Sequence, residues 1–230
     1  AGRAPLLGLA TIGTRTRAAP RYGGDYDAGR GVRYVPGVCS RAKLWVQKWL
    51  WYERNSLPWN RLQIHIEFMR REAFARWPVH GNVLEAFREG RLEIGAHALL
   101  EPGVWLTAPG RARIRIGAGT FLNLGVMVAA LELVEIGEHC MFANGCFVSD
   151  ASHGFDDPHR PVPWQGFTSK GPTIVGDNVW CGANVVITSG VRIGERCVIG
   201  ANSVVNSDIP AFSIAAGVPE SGIGNTRSAS

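Results

Sequence analysis

The strongest constraint in this sequence is a period of six residues that starts at Val175. An aliphatic residue or cysteine recurs at every sixth position, and glycine follows it in most of the units. These positions are Val175, Cys181, Ile187, Ile193, Ile199 and Val205. A helix repeats every 3.6 residues and an exposed strand alternates every two, so neither accounts for the spacing. The pattern predicts a short strand followed by a turn, with three such units forming one triangular coil.

The same register continues upstream with interruptions, which gives about five coils in total. Its upstream members are Ile94, Leu100, Leu106, Ile116, Leu122, Val128, Ile136, Phe142 and Val148. We expect these side chains to fill the core, and we expect the glycine that follows an inward aliphatic residue, as at Gly176, Gly182, Gly194 and Gly200, to supply the backbone angles of a turn. An excursion at residues 149–174 interrupts the register. Because insertions into a solenoid emerge as loops, often on its binding side, this segment is the first candidate for function.

The part of the chain before the coils differs in composition. Residues 1–91 contain 16 Lys and Arg against 7 Asp and Glu, whereas residues 92–230 contain 8 against 12. We expect residues 1–36 to be flexible and residues 37–91 to form a basic, tryptophan-rich helical extension. No zinc-finger or RNA-binding signature accompanies the basic residues, so we expect no nucleic-acid partner.

Two helices are predicted in this extension, at residues 40–54 and from Arg61 to Arg76. Their tryptophans and neighbouring basic residues could contact a membrane surface, the coil or a neighbouring subunit. No apolar run long enough to span a bilayer and no clear secretory signal is present, so we expect a cytoplasmic protein.

The five cysteines have no paired spacing of the kind found in disulfide frameworks or zinc sites. Four of them fall inside the repeat, at Cys140, Cys146, Cys181 and Cys197. We interpret them as small apolar core residues and expect no metal.

The stretch from Ile94 to Pro219 resembles the hexapeptide-repeat acyltransferases, in particular the branch that contains galactoside and maltose O-acetyltransferases and the xenobiotic acetyltransferases. The most specific segments are VGDNVWCGANVVITSGVRIGERCVIGANSVV, the ending DIPAFSIAAGVP, and VSDASHGF. The resemblance implies an all-β solenoid, a left-handed parallel β-helix over residues 92–219, with residues 220–230 as a tail. It also implies a homotrimer with active sites between subunits, acetyl-coenzyme A as donor, and a hydroxyl acceptor on a sugar, glycolipid or natural product.

Single residues can be matched to the resembled enzymes. His153 falls where that branch carries its catalytic histidine, and a neutral imidazole can take the proton of an attacking hydroxyl. Asn123 and Trp180 match residues that contact the acceptor or line the acyl channel, and His159 is a further candidate for substrate contact. The positions that lie along coenzyme A in the relatives are Ala183, Ala201, Asn206 and Ser207.

Departures from the pattern favour a more apolar acceptor and a different phosphate site. The sugar acetyltransferases carry an acidic pair after the asparagine, and the corresponding stretch of this chain reads Val128, Ala129, Ala130, Leu131. Many relatives have lysine at the position of Ser207, so Lys170 or Arg196 would have to bind the phosphates here.

Other functions remain open at this level. The same machinery could acetylate an amine on an amino sugar, and the coil could be a non-catalytic scaffold or a site recruited to other chemistry. A metal hydrolyase of the γ-carbonic anhydrase type shares the coil but needs three histidines across a subunit interface.

Overall fold

The computed structural model describes residues 54–226 together with Lys43, Trp45 and Val46. Predictions for residues 1–36 and for most of the helix at 40–54 therefore lie outside the described residues, as does Cys39. Among the described residues the α-helices are α1 (Pro58–Met69) and α2 (Val83–Arg88), and short 3₁₀ turns occupy Arg54–Ser56 and Val162–Trp164.

Short strands make up most of the described chain. In chain order they are β1 (Phe74–Ala75), β2 (His80–Gly81), β3 (Leu92–Ile94), β4 (Leu99–Leu100), β5 (Trp105–Thr107), β6 (Arg113–Ile116), β7 (Phe121–Leu122), β8 (Met127–Ala129), β9 (Leu133–Ile136), β10 (Met141–Phe142), β11 (Phe147–Ser149), β12 (Ser152–His153), β13 (Phe167–Thr168), β14 (Thr173–Val175), β15 (Trp180–Cys181), β16 (Val186–Ile187), β17 (Arg192–Ile193), β18 (Val198–Ile199), β19 (Val204–Val205), β20 (Ser213–Gly217) and β21 (Glu220–Asn225).

These strands form the three faces of a prism. Face A contains β1, β4, β7, β10, β15, β18 and β20 in parallel, with β21 antiparallel at its end. Face B contains β2, β5, β8, β11, β16 and β19, and face C contains β3, β6, β9, β14 and β17. Successive strands visit faces A, B and C in turn, so the chain is the parallel solenoid expected from the repeat, with about six turns, and it is the left-handed β-helix that the resemblance implied.

The core confirms the six-residue register. Every one of the fifteen inward positions named from the sequence is buried, with no more than 7 % of its surface exposed. Residues paired across coils are also in register: Leu100 lies beside Leu122, and Val148 beside Ile187. Each coil therefore buries its aliphatic side chains against those of the coils above and below it.

One coil begins earlier than the sequence register indicated. Ala75 of β1 pairs with Leu100, and Gly81 of β2 pairs with Leu106. The first coil did not stand out in the sequence, because the pattern was traced through large aliphatic residues and these positions hold alanine and glycine.

Helix α1 ends at Met69, earlier than the predicted end at Arg76, since the chain enters β1 five residues later. It lies against the first coil with Ile64 and Phe68 buried, and the Phe68 ring contacts Phe87 of α2 edge-on at 5.3 Å between centroids. Helices α1 and α2 therefore supply apolar side chains that continue the core beyond the first coil.

The glycines after the inward aliphatic residues were expected to supply turn backbone angles, but the structure shows a different requirement for glycine there. Gly117 and its equivalents are absent from the residues with positive φ. A Cβ added at Gly117 would instead lie 2.4 Å from the backbone of Gly137 in the next coil. These glycines permit close approach of successive coils, and the left-handed residue of each of these corners lies two positions later, as at His139 (φ 54°) and Asn178 (φ 57°).

No helix of the described residues is long and apolar enough to cross a membrane. The C-terminal residues expected only as a tail include β21, which pairs with β20 over the last coil.

Candidate active site

The excursion leaves the prism at the corner between faces B and C. Strand β11 ends at Ser149, the chain forms the antiparallel hairpin β12–β13, and it re-enters face C at β14. In the hairpin, Ser152 pairs with Thr168 and His153 pairs with Phe167. His153 therefore lies on a hydrogen-bonded hairpin close to the coil.

The base of this hairpin is held by Asp150, a residue that sequence reasoning missed. Its carboxylate is fully buried and accepts hydrogen bonds from the backbone N–H groups of Leu131 at 2.6 Å, Glu132 at 2.7 Å and Leu133 at 2.7 Å. The hydroxyl of Ser189, from the following coil, donates to the Asp150 carbonyl oxygen at 2.5 Å. The start of the excursion is thus tied to the coil before it and the coil after it. Its position directly after the buried strand β11 was the sequence signal that could have identified Asp150.

The imidazole of His153 is exposed and contacts the ring of Phe167 at 4.5 Å between centroids. Within residues 54–226 we find no hydrogen bond to this imidazole. Both ring nitrogens are therefore available for an acceptor hydroxyl.

The tip of the excursion is ordered by local polar contacts. The Gln165 side-chain amide donates to the carbonyl oxygens of Asp157 at 2.9 Å and Arg160 at 2.7 Å. His159, a predicted substrate contact, lies in this tip, where its backbone N–H donates to the Asp157 carboxylate at 2.9 Å. No ring contact or hydrogen bond joins His159 to His153 in the part of the chain that the structure describes.

Large apolar side chains are exposed along the excursion that carries His153, and one of them, Phe167, contacts its ring. They are Phe155, Val162, Trp164 and Phe167, which are exposed by 71 %, 47 %, 59 % and 48 %. The excursion therefore carries both exposed apolar side chains and an available imidazole.

Asn123 lies at another corner of the prism, between faces A and B. Its side-chain oxygen accepts the backbone N–H of Leu124 at 2.8 Å. The length of face B separates it from the corner that carries the excursion, roughly 20 Å for the seven residues from Asn123 to Ala130. One chain does not bring Asn123 and His153 together.

Trp180 projects outward from face A and is 52 % exposed. It lines an open cavity of about 420 Å³ together with Arg196 and Phe212. The predicted phosphate partner Arg196 therefore shares a cavity with the predicted channel residue Trp180. The other predicted phosphate partner, Lys170, lies on the excursion and is exposed.

The residues expected along coenzyme A lie on two different corners. Ala183 and Ala201 are in the turns between faces A and B, in successive coils. Asn206 and Ser207 follow β19 at the corner between faces B and C, where they bind Glu220: the Asn206 N–H donates at 3.0 Å and the Ser207 hydroxyl at 2.5 Å.

Glu220 is an acidic residue that the sequence analysis did not assign to the site. Burial raises the pKa of Glu220, but the hydrogen bonds from Ser207 and Asn206 outweigh it and leave the pKa below the ordinary value. The Glu220 carboxylate therefore binds Asn206 and Ser207. At the position of Ser207, many of the resembled enzymes have a lysine.

The four cysteines of the coil are buried in the core, as predicted. Burial raises the pKa of the Cys140 thiol to about 11, and it also raises the pKa of Cys181. A raised pKa keeps a thiol protonated at neutral pH, where it is a poor nucleophile. Among residues 54–226, no group of three or more His, Cys, Asp or Glu side chains is arranged to hold a metal ion.

Comparison with known proteins identifies related sequences. A family model described as bacterial transferase hexapeptide (six repeats) matches residues 172–207. Galactoside O-acetyltransferase of Escherichia coli K12 is 35 % identical over 126 residues, which cover 55 % of this chain and 60 % of that protein. The chain thus spans less than two thirds of that relative's length.

Two further matches cover more of the related protein. The putative lipopolysaccharide biosynthesis O-acetyl transferase WbbJ of Escherichia coli K12 is 33 % identical over 138 residues, which cover 57 % of this chain and 70 % of that protein. A solved galactoside acetyltransferase in complex with coenzyme A superposes with a TM-score of 0.52 and 32 % identity, covering 62 % of this chain and 70 % of that one.

Proposed function

Because the chain belongs to the family of bacterial hexapeptide-repeat transferases, we propose that it transfers an acetyl group from acetyl-coenzyme A to a hydroxyl. The observation that carries this proposal is the exposed imidazole of His153, held on a hairpin whose base is anchored by the buried Asp150. The galactoside acetyltransferase solved with coenzyme A, and the acetyltransferase names of the relatives, support the donor.

His153 acts as general base in this reaction. A neutral imidazole accepts the hydroxyl proton while the hydroxyl oxygen attacks the thioester carbonyl carbon. Backbone N–H groups stabilise the tetrahedral oxyanion. The carbon–sulfur bond then breaks, the thiolate leaves, and the imidazolium returns the proton to sulfur. The thioester is already activated, so no covalent enzyme intermediate is needed.

We propose that the complete site forms between chains of a homotrimer. His153 and Asn123 lie at different corners, so a site that contains both needs a second chain. The outward residues of face A support self-association, because they are apolar in every coil. They are Phe74, Leu99, Phe121, Met141, Trp180, Val198 and Ile214.

Face C has the opposite character and is proposed to face solvent. Its outward Arg115 lies between Glu93 at 3.3 Å and Glu135 at 3.2 Å, which makes a ladder of partly exposed ion pairs. Charged ladders are depleted in the buried part of an interface, whereas faces that are apolar throughout are typical of obligate oligomers.

The acceptor in this proposal carries an apolar group next to the reacting hydroxyl. The stretch 128–131, which corresponds to the region of the acidic pair in the sugar acetyltransferases, has no carboxylate that could bind sugar hydroxyls, and within it Ala130 is buried and Ala129 is half-buried. The exposed Phe155, Trp164 and Phe167 offer stacking and apolar contact instead. A glycolipid or a glycoside with an apolar aglycone fits this surface.

Arg196 is the proposed phosphate ligand of the donor. It lines the same cavity as Trp180, and its guanidinium can bind a phosphate through two parallel hydrogen bonds. Ala183 and Ala201 would offer main-chain groups along the pantetheine arm, and Asn206 and Ser207 would remain engaged by Glu220.

The first test is calorimetric titration of the protein with acetyl-coenzyme A. We expect binding with about one site per chain and about tenfold or more weaker binding for Arg196→Gln, since one charged hydrogen-bonded contact is lost. Arg192→Gln is the matched control, because Arg192 is exposed on face C outside this cavity. Absence of binding by the wild type would overturn the donor and favour a non-catalytic scaffold. Acetylation of amines but not of hydroxyls would favour the N-acetyltransferase alternative.

A further inference from the structure

Helix α1 has two apolar sides, and the prism covers one of them. Ile64 and Phe68 point into the core and are 0 % and 1 % exposed. Trp59, Leu62 and Met69 lie on the opposite side at helical spacings of three and seven residues, and they are 67 %, 49 % and 68 % exposed. A helix that only closed the end of the core would need a single apolar stripe.

One arginine borders the exposed stripe, and a second lies elsewhere on the helix. Arg70 lies beside the stripe and is paired to Glu67 at 2.9 Å, whereas Arg61 lies nearer the buried side and is stacked over the Trp77 ring at 5.0 Å. Long basic side chains beside an apolar stripe are typical of helices that lie in the headgroup region of a bilayer.

The sequence around α1 is also basic and rich in tryptophan. Residues 40–76 contain eight Lys and Arg against three Glu, and five of the eight tryptophans of the chain lie between Trp45 and Trp77. Residues 92–230 instead contain 8 basic and 12 acidic residues. An anionic surface would therefore attract the end of the molecule that carries α1 and repel the coils.

Two described residues that precede α1 in the chain are apolar and exposed. Trp45 is 65 % exposed and Val46 is 45 % exposed, so these two side chains leave much of their surface in solvent. Tryptophan is enriched at membrane interfaces because its ring is apolar and its N–H is polar.

We propose that this basic, tryptophan-rich end, with Trp59, Leu62 and Met69 at its centre, binds the surface of a bilayer that contains anionic phospholipid. The stripe inserts into the headgroup boundary while the arginines contact lipid phosphates. The inference is independent of the catalytic proposal, because it uses no residue of the excursion.

The test is flotation of the full chain with vesicles of phosphatidylcholine and phosphatidylglycerol. Wild type should bind these vesicles, bind vesicles of phosphatidylcholine alone more weakly, and dissociate as salt is added. Trp59→Ser combined with Met69→Ser should weaken binding about 30-fold, the loss expected when two largely exposed apolar side chains no longer enter the interface.

A matched control is available in the C-terminal hairpin. Val218 and Ile223 are 70 % and 66 % exposed, so Val218→Ser combined with Ile223→Ser removes comparable surface from the opposite end of the chain. This control should bind vesicles as wild type does. The proposal is overturned if wild type fails to bind, if both double variants lose binding equally, or if the α1 variant changes only the oligomeric mass measured by light scattering. The last result would make the stripe an interface between copies.

Discussion

Replacing Asp150 by alanine should destabilise the protein more than replacing an exposed corner aspartate by alanine. The carboxylate accepts three backbone N–H groups within 2.7 Å and is 0 % exposed. A hydrogen bond to a charged group contributes about 1.5–3 kcal/mol, and part of that loss is recovered when water reaches the freed donors. We therefore expect the free energy of unfolding to fall by about 4 kcal/mol. Asp150→Asn keeps one carbonyl oxygen and should cost about half as much.

Asp177 supplies the matched control for this prediction. It is an exposed corner aspartate whose carboxylate accepts one backbone N–H, from Glu138 at 2.8 Å. Asp177→Ala should cost about 1 kcal/mol. Urea unfolding of all variants at one protein concentration measures the differences, since the stability of an oligomer depends on concentration. Equal losses for Asp150→Ala and Asp177→Ala would refute the argument that the three buried hydrogen bonds anchor the excursion.

Three further predictions follow from the coils. The Cys140 thiol, with its pKa of about 11, should resist iodoacetamide near pH 8 in the folded protein and react after unfolding in urea, as measured by mass spectrometry of the peptides. Gly81→Ala should lower the melting temperature far more than Gly166→Ala, although both have positive φ, because only at Gly81 would a Cβ overlap the next coil, at 1.8 Å from a carbonyl oxygen. The pKa of Glu220 is lowered, so at pH above the ordinary pKa of 4.5 its hydrogen bond from Ser207 should stabilise the C-terminal hairpin. This stabilisation should be lost as the pH falls through the lower pKa of the folded state. The difference in stability between wild type and Glu220→Gln, measured by thermal unfolding, should therefore vanish in acid. A difference that persisted unchanged in acid would contradict that last assignment.

The coil could be predicted from the sequence because a period of six has one structural explanation. The register from Ile94 to Val205 is buried throughout, and the interruption at residues 149–174 is the excursion hairpin. The first coil was missed because Ala75 and Gly81 occupy the register positions of Leu100 and Leu106 without a large aliphatic side chain. The sequence showed the repeated glycines but not why glycine is required there. The requirement is close approach between successive coils, which depends on contacts that a single sequence does not display.

The candidate site was predictable only in part. The sequence indicated the segment that carries His153, and in the structure that histidine lies on a hairpin against Phe167. The role of Asp150 depends on three N–H groups from a coil about eighteen residues earlier, a long-range contact that a local pattern does not encode. Likewise, Glu220 meets Ser207 only because β21 folds back onto β20.

The most direct test of the central claim is the rate at which the protein releases free coenzyme A from acetyl-coenzyme A with a panel of glycosides that carry apolar aglycones. His153→Asn should reduce turnover about 100-fold or more while donor binding is retained, because a general base contributes to the chemical step and not to donor affinity. His139→Asn applies the same substitution to an exposed corner histidine and should leave turnover unchanged. Full turnover by His153→Asn, or an equal loss in both variants, would contradict the assignment of His153 as the base.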